Sequence, residues 1–128
     1  HLPEWIAERQ RLCARYEERL SDAGVRLQRI EDWAVPTWHL YVLLHPERDR
    51  LAAELCERGI ATGVHYPIPV HRQPGLAGVP HRVHGGELPV TDELAASCLS
   101  LPIYPELGDE GVDRVAEALH DVLAGAHV

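Results

Sequence analysis

The chain has 128 residues, 45% of them hydrophobic and 25% charged, enough for one packed domain and outside the low-hydrophobicity range of disorder. Twenty acidic residues against twelve basic ones give a formal net charge of −8, which opposes a polyanion such as DNA, and no arginine cluster in the sequence relieves it. The longest apolar stretch, Leu40 to Leu44, is far below the ~20 residues that span a bilayer, and no basic-then-apolar leader opens the chain, so neither a membrane nor an export reading is expected.

From Pro3 to Ala23 the pattern predicts a helix: proline in the first turn, then Ile6, Cys13 and Leu20 at heptad spacing with Leu12 and Tyr16 beside them, and Gly24 as the stop. Val25 to Trp38, broken by Pro36, reads as a brief strand and a loop. His39 to Leu44 is nearly continuously apolar, as in a strand covered on both faces. A helix of roughly three turns follows Pro46, with Leu51, Leu55 and Cys56 on one face and Gly59 at its end. Ile60 to Tyr66 alternates, Ile60, Thr62, Val64 and Tyr66 one way and Ala61, Gly63 and His65 the other, which predicts another strand.

The stretch from Pro67 to Pro89, with further prolines at 69, 74 and 80 and glycines at 75, 78, 85 and 86, is too interrupted for regular structure and longer than a connection needs. Thr91 is placed to cap a helix that runs to about Cys98, with Asp92 and Glu93 in its first turn. Ser100 to Tyr104, with Pro102 and Pro105, reads as a strand end or a short extended segment. Val112, Val115, Ala116, Leu119, Val122 and Leu123 then form the stripe of a closing helix behind Asp109 and Glu110. Strands separated by helices, with helices at both ends, predict an α+β (or α/β-like) domain, a sheet of about three or four strands covered by helices.

All twelve basic residues are arginine, and the sequence contains no lysine. A GC-rich genome explains such usage, but the chemical consequence stands regardless. A Schiff base with pyridoxal phosphate or a carbonyl substrate needs a lysine amine, and guanidinium, always protonated, cannot replace it. Cys13, Cys56 and Cys98 contain no Cys-x-x-Cys pair and are expected as small buried side chains of a cytoplasmic protein. Among the nine histidines, His65, His71, His81 and His84 lack the paired spacing of a metal site, so no metal is expected. The run from His65 to Pro74 concentrates polar groups where a strand passes into a loop. That position suits ligand contacts and, equally, the simple closing of a sheet edge.

Several segments, in order, resemble one known family. They are His39-Leu40-Tyr41-Val42, Arg48-Asp49-Arg50-Leu51, Gly59 to Pro67, His71-Arg72-Gln73-Pro74, Leu88 to Leu94, and Leu99-Ser100-Leu101-Pro102-Ile103-Tyr104-Pro105-Glu106-Leu107. Together, over about residues 37 to 123, they are similar to the C-terminal part of the DegT-type aminotransferases, pyridoxal-phosphate enzymes acting on nucleotide-linked keto sugars. The opening helix, with Arg9, Arg15 and Tyr16, is like the helix that joins the two lobes of that family.

The resemblance implies that residues 1–128 are a single domain, the small C-terminal lobe of a type I aminotransferase fold, an antiparallel sheet covered by helices. Residues 1–24 would join a missing large lobe, and 25–128 would form the sheet and its helices. The lysine, most of the pyridoxal phosphate contacts and the second subunit of a homodimer would lie elsewhere, so no catalytic residue is expected in this chain. His65 and Tyr66 match a motif on the sugar side of the cleft, and His71 and Gln73 its continuation. Arg72 suits the substrate diphosphate, and equally a solvent-facing position.

Gln73-Pro74-Gly75-Leu76 departs from the family's frequent Gln-Pro-Ala-Tyr, so no contact is carried over for that tyrosine. The run His65 to Pro69 looks more like members that aminate the 3-keto position of dTDP-linked 6-deoxyhexoses than those working at the 4-position. The implied donor is glutamate. Two alternatives share the residues: a lobe of a same-fold sugar dehydratase, and a non-catalytic sugar-nucleotide-binding or scaffold domain.

Overall fold

Apolar residues at helical spacing determine the two long helices. The computed structural model describes residues 1–125, with α1 at Leu2–Leu20 and α4 at Gly108–Ala124. Residues 126–128 of the expected domain range lie outside the described residues. α1 packs along α4, burying Leu12, Cys13, Tyr16 and Leu20 with Val112, Val115, Ala116, Leu119 and Val122.

Three strands form one antiparallel sheet in the order β1 (Arg26–Leu27), β2 (Tyr41–Leu44), β3 (Cys98–Leu101). The register pairs Tyr41 with Leu101 and Leu43 with Leu99, and these four join the core under the helices. The alternate residues Val42, Leu44 and Cys98 turn to the opposite face, as the two-residue period of a strand requires. Helix α2 (Arg48–Glu57) packs on α4 and β3, while α3 (Pro89–Ser97) runs straight into β3. The fold is the expected α+β arrangement, a small antiparallel sheet with helices.

Polar side chains of the resembling motifs act as struts. Arg9 donates to the carbonyls of Trp38 and Ile103 at 3.0 and 2.8 Å, and the Tyr16 hydroxyl donates to Pro102 O at 3.0 Å. Arg48 is 8% exposed and donates to the carbonyls of Ala95 and Cys98 at 3.0 and 3.1 Å, fixing the point where α3 becomes β3. A buried guanidinium is tolerated because such bonds replace its lost hydration.

The structure corrects several expectations. Ile60 to Tyr66 is not a strand: only Gly63 pairs, through an isolated bridge to Ser100. It lies along the outer side of β3 with no further strand beyond it, and Pro67 and Pro69 cannot donate to a ladder. Thr91 is not a cap, because α3 begins at Pro89, whose missing N–H suits a first helical position. The strand end read at Ser100 to Tyr104 is the end of β3, which starts earlier, at Cys98, and stops before Pro102. Cys56 is exposed rather than buried, since it follows Leu55 by one residue and so sits about 100° around α2 from the buried Leu51 and Leu55.

Along the α1–α4 seam, Arg11 meets Asp109 at 2.5 Å, Arg15 meets Asp113 at 2.5 Å, and Arg19 meets Asp113 at 3.1 Å and Glu117 at 3.4 Å. Arginines at four-residue intervals thus face carboxylates rather than forming a free positive patch. The hydrogen bonds from Arg15 hold the Asp113 carboxyl below its ordinary range, with the charges of Arg15 and Arg19 adding to the effect. A carboxyl depressed in the folded state contributes stability above its unfolded pKa, near ~4, and loses it as pH falls through the lower folded value. Asp113→Asn is therefore expected to lower the thermal midpoint at pH 7, and the two proteins should converge in melts taken near pH 2.

Candidate functional site

The candidate site is built from the backbone outward at Gly63. Its N–H donates to Ser100 O at 3.0 Å and its carbonyl accepts from the Ser100 N–H at 2.7 Å, which fastens this segment to β3. Two residues on, His65 Nδ1 and Ser100 Oγ share a hydrogen bond of 3.0 Å. The imidazole lies directly over Gly63: a Cβ there would stand 2.6 Å from His65 Cε1. Only glycine leaves the exposed imidazole in this place, where Ser100 holds the ring from the side.

The His65–Tyr66 peptide bond is cis, and the two rings stand edge to face with centroids 5.6 Å apart. Tyr66 is 74% exposed. With Ile68 and Val70 it borders an open, mainly apolar groove of about 410 Å³, closed beneath by Val42 and Cys98 and on the far side by Leu94. The chain then enters a single turn at Val70–Arg72, and the Gln73 side-chain amide donates back to Ile68 O at 2.9 Å.

His71 and Arg72 turn away from this groove towards α3. Arg72 Nη2 donates to Asp92 Oδ2 at 2.5 Å, and His71 Nε2 lies 3.1 Å from Asp92 Oδ1. The Arg72 hydrogen bond pulls the Asp92 carboxyl below its ordinary range, and His71 contributes in the same direction. The structure therefore brings His65 and Tyr66 together on the groove, ties Gln73 into the turn, and directs His71 and Arg72 to Asp92. Gly63, Ser100 and Asp92 were missed as site residues. The small residue two places before His65 was the available signal for Gly63, while nothing local marked Ser100 or Asp92 as its partners.

Burial pushes the Cys13 thiol up to about 12, so it is no nucleophile. Among the described residues, no group of three His, Cys, Asp or Glu side chains gathers as metal ligands would, and no helix is long and apolar enough to cross a membrane.

Residues 1–120 match the profile of the DegT/DnrJ/EryC1/StrS aminotransferase family. The chain belongs to that family. It is 41% identical over 122 residues to the erythromycin biosynthesis sensory transduction protein EryC1 of Saccharopolyspora erythraea, covering 93% of this chain and 32% of that protein. It is 37% identical over 122 residues to the dTDP-3-amino-3,4,6-trideoxy-alpha-D-glucose transaminase of Streptomyces venezuelae, with 94% and 32% covered. The crystal structure of S. venezuelae DesV in complex with a ketimine intermediate superposes with a TM-score of 0.88 at 36% identity, over 96% of this chain and 33% of that one. The chain thus spans about a third of the length of these family members.

The protein Spr1654 of Streptococcus pneumoniae, which shares this fold at 22% identity and, in its PMP form, a TM-score of 0.84, has been solved in PLP and PMP forms. The residues present here do not fit a complete pyridoxal phosphate site, because this chain has no lysine to bond the cofactor.

The seat of His65 yields a direct test. Gly63→Ala places a methyl group where the ring lies and is expected to swing the exposed His65 side chain off Ser100, seen as a change in its side-chain NMR signals. Ser100→Ala keeps the backbone bridge and is expected to release only the ring, seen as averaged His65 side-chain NMR signals.

Proposed function

We propose that this chain is the small lobe of a sugar aminotransferase. In the intact enzyme, glutamate supplies an amino group to a dTDP-linked 3-keto-6-deoxyhexose, leaving 2-oxoglutarate and the amino sugar. One observation carries the reading: the chain superposes over nearly its whole length on about a third of DesV, yet has no lysine. The names of the related transaminases support a dTDP-linked substrate aminated at carbon 3.

Pyridoxal phosphate, held by the missing large lobe, supplies the amino-group transfer when bound. This lobe's own part is to receive and orient the sugar. His65 Nδ1 is engaged by Ser100, so the ring presents Nε2, which makes no bond among the described residues, and Tyr66 presents an exposed ring and hydroxyl. An aromatic face with a polar tip suits a deoxyhexose, which is apolar at its C–H face and polar at its hydroxyls. Gln73 braces the turn that follows His65 and Tyr66, through its bond to Ile68 O. Arg72, 63% exposed and oriented by Asp92, lies further along the same loop, where the diphosphate would pass.

The first turns of α1 support the remaining partner. Leu2 is 64% exposed and Trp5 50%, and with Ile6, Tyr104 and Pro105 they border a second open, mostly apolar groove of about 530 Å³. Apolar surface of this kind marks an interaction face, and in this reading it docks the large lobe. A homodimer of the intact enzyme belongs to the same proposal.

The coding sequence upstream of His1 tests the reading: an in-frame large lobe carrying a lysine is expected, and a start codon at that point contradicts it. The isolated chain, mixed with pyridoxal phosphate and reduced with borohydride, is expected to carry no side-chain adduct in peptide mass spectra. An adduct on a side chain would sink the division of labour between the lobes.

A further inference from the structure

The loop from Tyr66 to Leu88 starts two residues beyond the Gly63 bridge and ends where α3 begins at Pro89, and between those points few bonds hold it. Within it, the Arg72 N–H donates to Pro69 O at 2.9 Å, the Gln73 N–H to Val70 O at 3.1 Å, and the Gln73 side chain to Ile68 O. These bonds are local: they shape the turn without attaching it to anything. The attachment is made by Asp92, in the first turn of α3, whose carboxylate takes Arg72 on one oxygen and faces His71 with the other. The Asp92 side chain is 29% exposed and that of His71 18%, so the contact is only partly screened by water. Its Oδ1 is enclosed and faces His71 Nε2 at 3.1 Å, while Arg72 supplies the opposite charge on Oδ2.

The same helix borders the candidate groove one residue and more along. Thr91, Leu94 and Ala95 of α3, with Cys98 at the start of β3, face Tyr66, Ile68 and Val70 across it. α3 therefore forms one wall of the groove and, through Asp92, grips the turn at the end of the other wall.

We propose that Asp92 is a positioning residue. By holding Arg72 and His71 together it fixes the Val70–Arg72 turn against α3, and thereby sets the place of Tyr66 and the width of the groove. The functional consequence rests on the reading of this edge as sugar-facing; the clamp itself does not. Arg72 is then a strut as well as a charge, and the long excursion from Pro74 to Leu88 is closed at its base by one ionic contact across twenty residues of sequence.

The absence of lysine makes the test clean, because trypsin can cut this chain only after arginine. Two of its sites, after Arg72 and after Arg82, lie in this loop, and among the described residues Arg82 makes no side-chain bond. In the full chain, cleavage after Arg82 is expected to outrun cleavage after Arg72. Asp92→Ala is expected to raise the Arg72 rate about ten-fold while leaving the Arg82 rate unchanged, as release of a local contact does. Asp92→Glu, which keeps the charge, should restore most of the protection, whereas a residue needed only for packing would not be rescued by a longer carboxylate.

An Arg72 rate unmoved by Asp92→Ala, or a Glu variant as exposed as the Ala variant, overturns the proposal. If Asp92→Ala does not fold, the wild-type chain decides: in ~1 M salt, where screening acts within about 3 Å, the Arg72 rate should rise towards the Arg82 rate, and a ratio indifferent to salt overturns the clamp. No turnover is read in these assays, so their failure is separate from a failure of the aminotransferase reading.

Discussion

The paired hydrogen bonds between Gly63 and Ser100 are the constraint on which the candidate site depends. They are the one point at which the segment after α2 joins the sheet, and everything from His65 onward is placed relative to them. Upstream, the Ile60 N–H donates to Leu55 O and its side chain is buried, so the approach to the bridge is also fixed. Downstream, Ser100 holds the His65 ring with its hydroxyl while its backbone holds Gly63. One residue of β3 thus anchors both the strand-like segment and the side chain that it presents. β3 can do this because its own position is secured twice, by pairing with β2 and by Arg48 bonding the carbonyls where α3 ends.

These arrangements divide the motif residues by role. Arg9, Tyr16 and Arg48 bond backbone carbonyls inside the lobe, and Arg50 pairs with Glu47 and Glu54 on α2. Their occurrence in family order reflects the architecture of the lobe rather than its chemistry. Tyr66, by contrast, has no structural work that would account for an aromatic ring left in solvent. The functional reading therefore rests on a short edge, His65 and Tyr66 with the turn behind them.

Much of the fold was legible because burial follows periodicity. The stripes of α1 and α4 and the apolar run of β2 each place the right residues in the core. What could not be read are contacts between residues far apart in the chain. Ser100 lies thirty-five residues from His65 and Asp92 twenty from Arg72, and neither has a local pattern that names its partner. The Ile60–Tyr66 alternation was real for Ile60 and Val64, which meet the core, but a period of two does not reveal whether a neighbouring strand exists to complete a ladder. Cys56 failed differently: the spacing read it onto the face of Leu51 and Leu55, whereas it lies about 100° around α2 from Leu55 and is exposed. The family resemblance reached further than periodicity because ordered motifs carry information about distant pairs that no single window holds.

The central claim is that this lobe completes an aminotransferase by presenting its His65–Tyr66 edge to the sugar. The most direct measurement joins the large lobe of the related S. venezuelae transaminase to this chain, in place of that enzyme's own last third, and follows amino-sugar formation from glutamate by mass spectrometry. The account predicts turnover by the chimera, with Tyr66→Ala raising KM for the sugar nucleotide. A chimera that folds, dimerises and binds pyridoxal phosphate but forms no amino sugar would contradict it.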